Sequence, residues 1–257
     1  MPFKKNVIDK FAIPKQIKLL TILIPVYNEM PNLAANLSAI INYKFSFPSE
    51  IIIVESNSQD GSRDVVKEFA KNDRVRVFYE EDPLGKGHAI IEGMKQAKGD
   101  VISIFDSDGE YLISDLDHLL LPIELGETSF VLGSRHSTDR RFFRVFKNQK
   151  FLSSIMNIGH IIFTLYFFLL FGTKFKDPFT MHKIFRSEIF KDIELTSMRF
   201  EIDWEILGIS IRRGSIPKEF PAQYTSRSFK EGKKVSFLLD PIRWIVFGLY
   251  FKFRKLK

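Results

Sequence analysis

The chain has no cysteine among its 257 residues. This excludes disulfides, thiolate metal sites and cysteine nucleophiles, and it is typical of proteins in a reducing cytoplasm. The five histidines are scattered, and neither a Gly-x-Ser-x-Gly elbow nor a His-Glu-x-x-His motif occurs, so serine-hydrolase and zinc-hydrolase chemistry is excluded. The first twenty residues lack an apolar block, and we expect no secretory signal there. A composition of 45% hydrophobic and 27% charged residues indicates a single globular domain.

The net charge of +7 lies almost entirely at one end of the chain. Residues 227–257 hold nine Lys or Arg against Glu231 and Asp240, and these cations alternate with aromatic and aliphatic residues from Trp244 to Phe253. A globally basic surface for nucleic acid is therefore not expected. The pattern favours a tail that binds an anionic membrane surface, with the protein peripheral on the cytoplasmic face.

Five short runs rich in β-branched and aromatic residues predict strands at 21–26, 50–54, 75–79, 101–105 and 129–133. Helix-like apolar patterns fill the intervals between them. Strand and helix alternating in this way predict an α/β fold, a mostly parallel sheet with helices on both faces. Ligands bind such sheets at the carboxyl ends of the strands, so the residues that follow each strand are the candidates for a site.

A stretch without formal charge runs from 151 to 173. A helix of this length would be long enough to cross a bilayer. Its first half is diluted by polar residues such as Asn157 and His160, and cations flank both ends. We therefore favour a helix that is buried in the protein or lies in the membrane interface over one that spans the membrane.

Two carboxylates, Asp106 and Asp108, follow the fourth predicted strand, and Glu110 adds a third nearby. Carboxylates at the end of a buried strand are costly unless a cation compensates them, and Mg²⁺ or Mn²⁺ shared with phosphate oxygens would do so. The alternative is an acidic turn that is simply solvated.

The Gly85-Lys86-Gly87 turn opens a helix, where backbone N–H groups and Lys86 could hold an anion. A glycine turn that only caps the helix explains the same residues.

Taken together and in order, these segments resemble glycosyltransferase family 2, and most closely its polyprenol-phosphate mannosyl and glucosyl transferases. The resemblance is carried by residues 25–29 (Pro-Val-Tyr-Asn-Glu), the turn at 55–62, Gly85-Lys86-Gly87, Asp106-Ser107-Asp108 and Gly133-Ser134-Arg135. It implies a GT-A-like nucleotide-sugar fold over about residues 21–226, with a donor half at 21–138, an acceptor half at 139–226, and flanking segments at 1–20 and 227–257. The family's Asp-Asp-Gly-Ser is replaced here by Glu55-Ser56-Asn57-Ser58.

The resemblance also implies roles for individual residues. The nucleotide of a UDP- or GDP-sugar is expected at Pro25, Tyr27, Glu29, Glu55, Lys86 and Asp106. Metal is expected at Asp106, Asp108 and Glu110. An acceptor phosphate is expected at Arg135, Lys183 and Arg227. Arginine is usual where Lys183 stands, and a guanidinium binds phosphate more specifically than an ammonium because it donates two parallel hydrogen bonds.

The implied reaction is a single displacement with inversion at the anomeric carbon. A sugar hydroxyl as acceptor would need a base, for which Glu201, Asp203 and Glu205 are candidates, and Glu201 and Glu205 share one helical face. A polyprenyl phosphate would not need a base, because it is largely a dianion and has no proton to lose. We favour the phosphate because of Arg135, the basic run from Arg140 to Lys150 and the membrane-seeking segments. Three alternatives remain: a family 2 transferase that acts on a sugar hydroxyl of a lipopolysaccharide or polysaccharide, a sugar-nucleotide pyrophosphorylase, and a non-enzymatic membrane adaptor.

Overall fold

The computed structural model describes residues 9–136, 150–226 and 239–256. In these ranges, seven strands form one sheet in the order β3-β2-β1-β4-β6-β5-β7. The strands are β1 (Leu20–Val26), β2 (Ser49–Glu55), β3 (Val75–Tyr79), β4 (Val101–Ile104), β5 (Phe130–Ser134), β6 (Lys183–Arg186) and β7 (Lys218–Pro221). β6 runs antiparallel to both of its neighbours, and the other pairings are parallel. The predicted α/β class is confirmed, and the five predicted strands lie within one residue of their observed bounds.

Helices cover both faces of this sheet. They are α1 (Leu33–Asn42), α2 (Ser62–Phe69), α3 (Lys86–Gln96), α4 (Asp115–Glu124), α5 (Lys150–Phe171), α6 (Ile202–Arg212) and α7 (Leu239–Phe253), with a short 3₁₀ turn at Ser187–Phe190. Alternate residues of β1 point to opposite faces, so Ile22 and Ile24 pack with α1, α2 and α4, while Leu23 packs with α3, α5, α6 and α7. Each face therefore has its own apolar core.

The uncharged stretch forms α5, a helix of 22 residues. Phe167 faces the core and is fully buried, whereas Leu169 two residues later is 70% exposed. The segment Ser154–Phe171 is long and apolar enough to cross a membrane, by length and composition only, and 22% of it is buried within the protein. α5 thus has one side packed on the domain and one exposed apolar side.

Within the basic C-terminal segment, Leu239–Phe253 form α7, which packs against α6 and α5. Phe251 is fully buried, and the Arg212 guanidinium donates hydrogen bonds to the carbonyls of Phe251 (2.7 Å) and Arg254 (2.6 Å). α7 is therefore part of the domain's packing. Its other side exposes a second apolar row, which includes Ile242, Val246 and Phe253.

Candidate active site at the carboxyl edge of the sheet

A cavity of about 570 Å³ opens where β1, β2 and β4 end. One of its ends is lined by Tyr27, Ser56 and Pro83, and its middle by Lys86 and the acidic residues after β4. The other end is formed by side chains of α5 and α7, including Phe163 and Trp244. The cavity therefore connects the donor-side loops to the two helices with exposed apolar sides.

Acidic side chains form the middle of the cavity. Asp106, Asp108 and Glu110 all line it, as the strand-end argument predicts. Asp108 accepts a hydrogen bond from the backbone N–H of Glu110 at 2.9 Å, and Tyr224 donates its hydroxyl proton to Glu110 at 2.7 Å. These contacts hold the three carboxylates on one short turn.

The Lys86 ammonium compensates part of this negative charge. Its Nζ lies 2.7 Å from Oδ1 of Asp106. Burial by itself would lower the pKa of Lys86, but the charge and hydrogen bond of Asp106 outweigh it, and the pKa is raised. Lys86 is therefore a fixed cation beside the carboxylates of the cavity.

The glycines beside Lys86 are explained by close packing of backbone. A Cβ at Gly87 would lie 2.6 Å from the carbonyl oxygens of Ser197 and Arg199, and a Cβ at Gly85 would lie 2.5 Å from that of Met198. The N–H of His88 donates to the Met198 carbonyl at 3.1 Å. The segment around Met198 thus packs against the start of α3, where the sequence suggested an anion cradle, and Lys86 is the charged residue of this turn that lines the cavity.

Glu55 supports the donor-side loop from behind. Its carboxylate is fully buried, accepts a hydrogen bond from the N–H of Ser58 at 2.7 Å and lies 3.4 Å from Nε of Arg63. Ser58 in turn accepts from the N–H of Asn28 at 2.9 Å. Pro25, Tyr27 and Glu29 line the cavity, as does Ser56, while Glu55 does not. Contact of Glu55 with a nucleotide stays a prediction, and in the structure its contacts hold the loop.

Arg135 lines the cavity and forms a two-pronged ion pair with Asp177. Its Nε and Nη2 are 2.7 Å and 2.6 Å from the two carboxylate oxygens, and its guanidinium lies over the ring of Tyr224. Asp177 is fully buried. These contacts fix the guanidinium plane and leave Nη1 for another partner.

Lys183 lies behind the cavity wall. Its side chain is fully buried, and its ammonium binds the carbonyl of Thr180 and Oδ1 of Asp203. Burial lowers the pKa of Lys183 and raises that of Asp203. Asp203 itself lines the cavity. A direct contact of Lys183 with acceptor phosphate stays a prediction, whereas the present contacts orient Asp203.

The three acids considered as bases differ in position. Glu201 and Glu205 are fully buried. Glu201 binds Arg243 of α7, and Glu205 binds Arg254, the residue after α7, at 2.6 Å. Asp203, between them in sequence, points to the cavity. Glu201 and Glu205 share a face, as their helical spacing predicts. Their arginine partners could not be predicted from that spacing, because they lie about 40 or more residues later in the chain.

Several residues that line the cavity could not be predicted from the sequence. Phe179, Arg199 and the α5 and α7 side chains line the cavity because those segments fold back over the sheet edge. The aromatic periodicity of α7 indicated an amphipathic helix without indicating its contact with a site. Arg227 and the basic run up to Lys147 lie outside the described residues.

Comparisons with known proteins agree with this geometry. The dolichol-phosphate mannosyltransferase of Pyrococcus furiosus is 27% identical over 84% of this chain and 60% of its own length. The dolichyl-phosphate β-glucosyltransferase of Trichomonas vaginalis is 30% identical over 80% of this chain and 65% of its own length. The chain thus spans less than two thirds of the length of these two relatives.

A solved structure shares the fold. Glucosyl-3-phosphoglycerate synthase from Mycobacterium tuberculosis, crystallised with Mn²⁺, UDP and phosphoglyceric acid, superposes with a TM-score of 0.63 over 92% of this chain and 78% of its own, at 15% identity. The sequence pattern of the family described as glycosyl transferase family 2 matches residues 21–207. Because that match covers most of the chain and all of the strand-end motifs, the protein is a member of glycosyl transferase family 2.

Proposed function

We propose that this protein is an inverting, metal-dependent glycosyltransferase that moves a sugar from a nucleotide-diphosphate sugar to a polyprenyl phosphate at the inner membrane surface. The observation that carries the proposal is the continuous cavity. It joins an acidic, oxygen-rich centre to a wall made by α5 and α7, whose outer sides are apolar and exposed. A polar donor and an acceptor with a lipid tail would meet in such a cavity.

The acidic centre fits a hard divalent cation. Asp106, Asp108 and Glu110 offer carboxylate oxygens on one turn, the donor type that Mg²⁺ and Mn²⁺ prefer. A cation bound there supplies Lewis-acid stabilisation of the departing diphosphate. Lys86 adds a fixed positive charge beside Asp106. Tyr27 offers an aromatic surface at the end of the cavity where the base would lie.

The acceptor end suits a phosphate monoester. Arg135 is oriented by Asp177 and lines the cavity, as does Arg199. A phosphate dianion attacks without losing a proton, so the reaction requires only that these cations place it in line with the anomeric carbon.

The exposed sides of α5 and α7 support binding to a membrane surface. Leu165 and Leu169 on α5 and Val246 and Leu249 on α7 are all exposed, on two helices that pack together. Apolar faces of this extent on neighbouring helices mark an interaction site, and Lys252 and Lys255 at the end of α7 favour anionic lipid.

A sugar hydroxyl on a lipid-linked glycan is the second candidate acceptor, and Asp203 favours it. Asp203 lines the cavity, and burial raises its pKa toward the range of a general base. Glu201 and Glu205, bound to arginines, are not placed for this role.

The test is product analysis with UDP- and GDP-sugars, with polyprenyl phosphate or a lipid-linked saccharide as acceptor, with and without metal. Asp108→Asn should lower turnover by about 10³-fold, since metal-ion stabilisation is worth several kcal/mol, and Asp64→Asn on the exposed side of α2 is the matched control.

If the acceptor is a phosphate, Arg135→Ala should lower turnover strongly and Asp203→Asn should lower it only slightly. A loss of about 10²–10⁴ in Asp203→Asn with a mild Arg135→Ala would assign the hydroxyl instead. Full turnover in EDTA would refute the metal dependence.

A further inference from the structure

A second cavity, of about 420 Å³, lies between the end of β3 and α3 and shares no lining residue with the first. Its lining includes Glu80, Glu81 and Asp82 from the loop and His88 and Glu92 from α3. The described lining residues include no lysine or arginine. Cations do contact the lining residues, since Lys95 pairs with Glu92 at 2.6 Å, and Arg63 and Arg76 lie over the rings of Tyr79 and Phe78. The described lining itself carries four carboxylates and no cation.

Glu80 and His88 already form the outer part of a metal site. Oε1 of Glu80 lies 2.5 Å from Nδ1 of His88. A carboxylate in this position holds the proton on Nδ1 and leaves the Nε2 lone pair for a metal ion. The Glu80 side chain is only 9% exposed, and its Oε2 is buried without a hydrogen-bond partner. An unpartnered buried carboxylate oxygen is costly, and a nearby cation would offset that cost.

His88 and Glu92 are placed to provide two ligands. They are four residues apart on α3 and therefore share one face of the helix. Nε2 of His88 lies 3.9 Å from Oε1 of Glu92. Two ligands of a tetrahedral zinc ion, each at 2.0–2.1 Å, are about 3.4 Å apart. Side-chain movement of about half an ångström would bring these atoms to a common metal ion.

We propose that this cavity binds one Zn²⁺ ion, with Nε2 of His88 and the Glu92 carboxylate as ligands and Glu80 orienting the imidazole. Glu81 or Asp82, on the loop at the same cavity, supplies a further oxygen, and water completes the coordination. An imidazole nitrogen in the ligand set selects Zn²⁺ over Mg²⁺. The bound ion would fasten the loop after β3 to α3, whose first residue is Lys86, and so would stiffen one side of the donor cavity. This site is independent of the proposed reaction.

The experiment measures zinc affinity by calorimetry and Co²⁺ absorption in the full chain carrying Asp106→Asn and Asp108→Asn, which removes competition from the acidic centre. We expect one Zn²⁺ per chain. His88→Ala and Glu92→Gln should each weaken binding by about tenfold or more, and Glu80→Gln by about 10- to 100-fold through the lost orientation of the imidazole. Lys95→Ala should strengthen binding because it frees the Glu92 carboxylate. Glu68→Gln, which alters a similar exposed ion pair on α2, is the matched control and should change nothing.

The alternative zinc cluster among the described residues is His136, His160 and Asp177. Both oxygens of Asp177 already bind Arg135, which disfavours a cation there. Circular dichroism of each variant verifies that it is folded. The proposal is wrong if His88→Ala binds zinc as tightly as its parent, if His160→Ala abolishes binding, or if the parent binds no zinc.

Discussion

His182 is a buried histidine whose two ring nitrogens have no hydrogen-bond partner. Its ring packs edge-on against Phe105 and Tyr111, at the two ends of the acidic turn. Burial lowers its pKa to about 3, although the charge of Asp106 acts in the opposite direction. The imidazole is therefore neutral in the folded protein at neutral pH, and it functions there as an aromatic spacer.

This gives a defined dependence of stability on pH. The folded-state pKa of about 3 is below the usual 6.5, so the unfolded chain takes up this proton first as the pH falls. Above pH 6.5, His182 is neutral in both the folded and the unfolded chain and does not lower stability. As the pH falls from about 6.5 to 3, the free energy of unfolding decreases progressively, by up to about 5 kcal/mol, because only the unfolded chain protonates His182. In urea unfolding at several pH values, His182→Phe should flatten that slope. His118→Ala, which removes an exposed imidazole, should not, and an unchanged slope in His182→Phe would contradict the assignment.

At the scale of helices, two ion pairs with buried carboxylates join α6 and the residue before it to α7 and the residue after it. Glu205 is fully buried and binds Arg254, and it also accepts hydrogen bonds from the N–H groups of Thr196 and Ser197. Glu201, four residues before Glu205, forms the corresponding ion pair with Arg243. These pairs hold α6 so that Asp203, on its other side, faces the cavity.

Removing one partner leaves a buried charge. Arg254→Ala should therefore lower the free energy of unfolding by about 3 kcal/mol, measured by urea denaturation. Lys255→Ala, an exposed cation next in the chain, should stay within about 0.5 kcal/mol of the parent. Equal stability of the Arg254→Ala and parent proteins would mean that the backbone N–H groups alone satisfy Glu205.

At the scale of the whole molecule, the two helices with exposed apolar sides, α5 and α7, also line the cavity. Deleting α7 would test membrane binding poorly, since Phe251 and Trp244 belong to the core packing. Surface substitutions separate the two roles. Leu169 and Val246 are exposed on this face, and Leu125 is similarly exposed on the opposite face of the sheet, after α4.

Leu169→Glu and Val246→Glu together should reduce cosedimentation with anionic vesicles by about tenfold or more, because each places a carboxylate where apolar area and cations favour lipid. Leu125→Glu, the matched control, should bind vesicles like the parent. Binding of the parent should also weaken as salt is raised. If the double variant sediments with vesicles as well as the parent does, the membrane lies against another surface.

The order of elements and most of the acidic centre could be predicted from the sequence. Apolar runs of β-branched residues and the helical patterns between them determine a sheet of this kind locally, and Asp106 and Asp108 lie where a parallel strand must end at the binding edge. The antiparallel strand β6 was not predicted, because its four residues carry the charged Lys183 and Arg186, which tertiary partners neutralise.

The sequence by itself determined the family, the strand-end motifs and the shared face of Glu201 and Glu205, because each depends on residues close together in the chain. Only the tertiary structure decided which candidates face the cavity. It turned Lys183 to Asp203, placed Asp203 in the cavity, and brought the backbone at Met198 onto Gly85 and Gly87. Those outcomes depend on contacts between residues tens to more than a hundred positions apart, and no local pattern encodes such pairings.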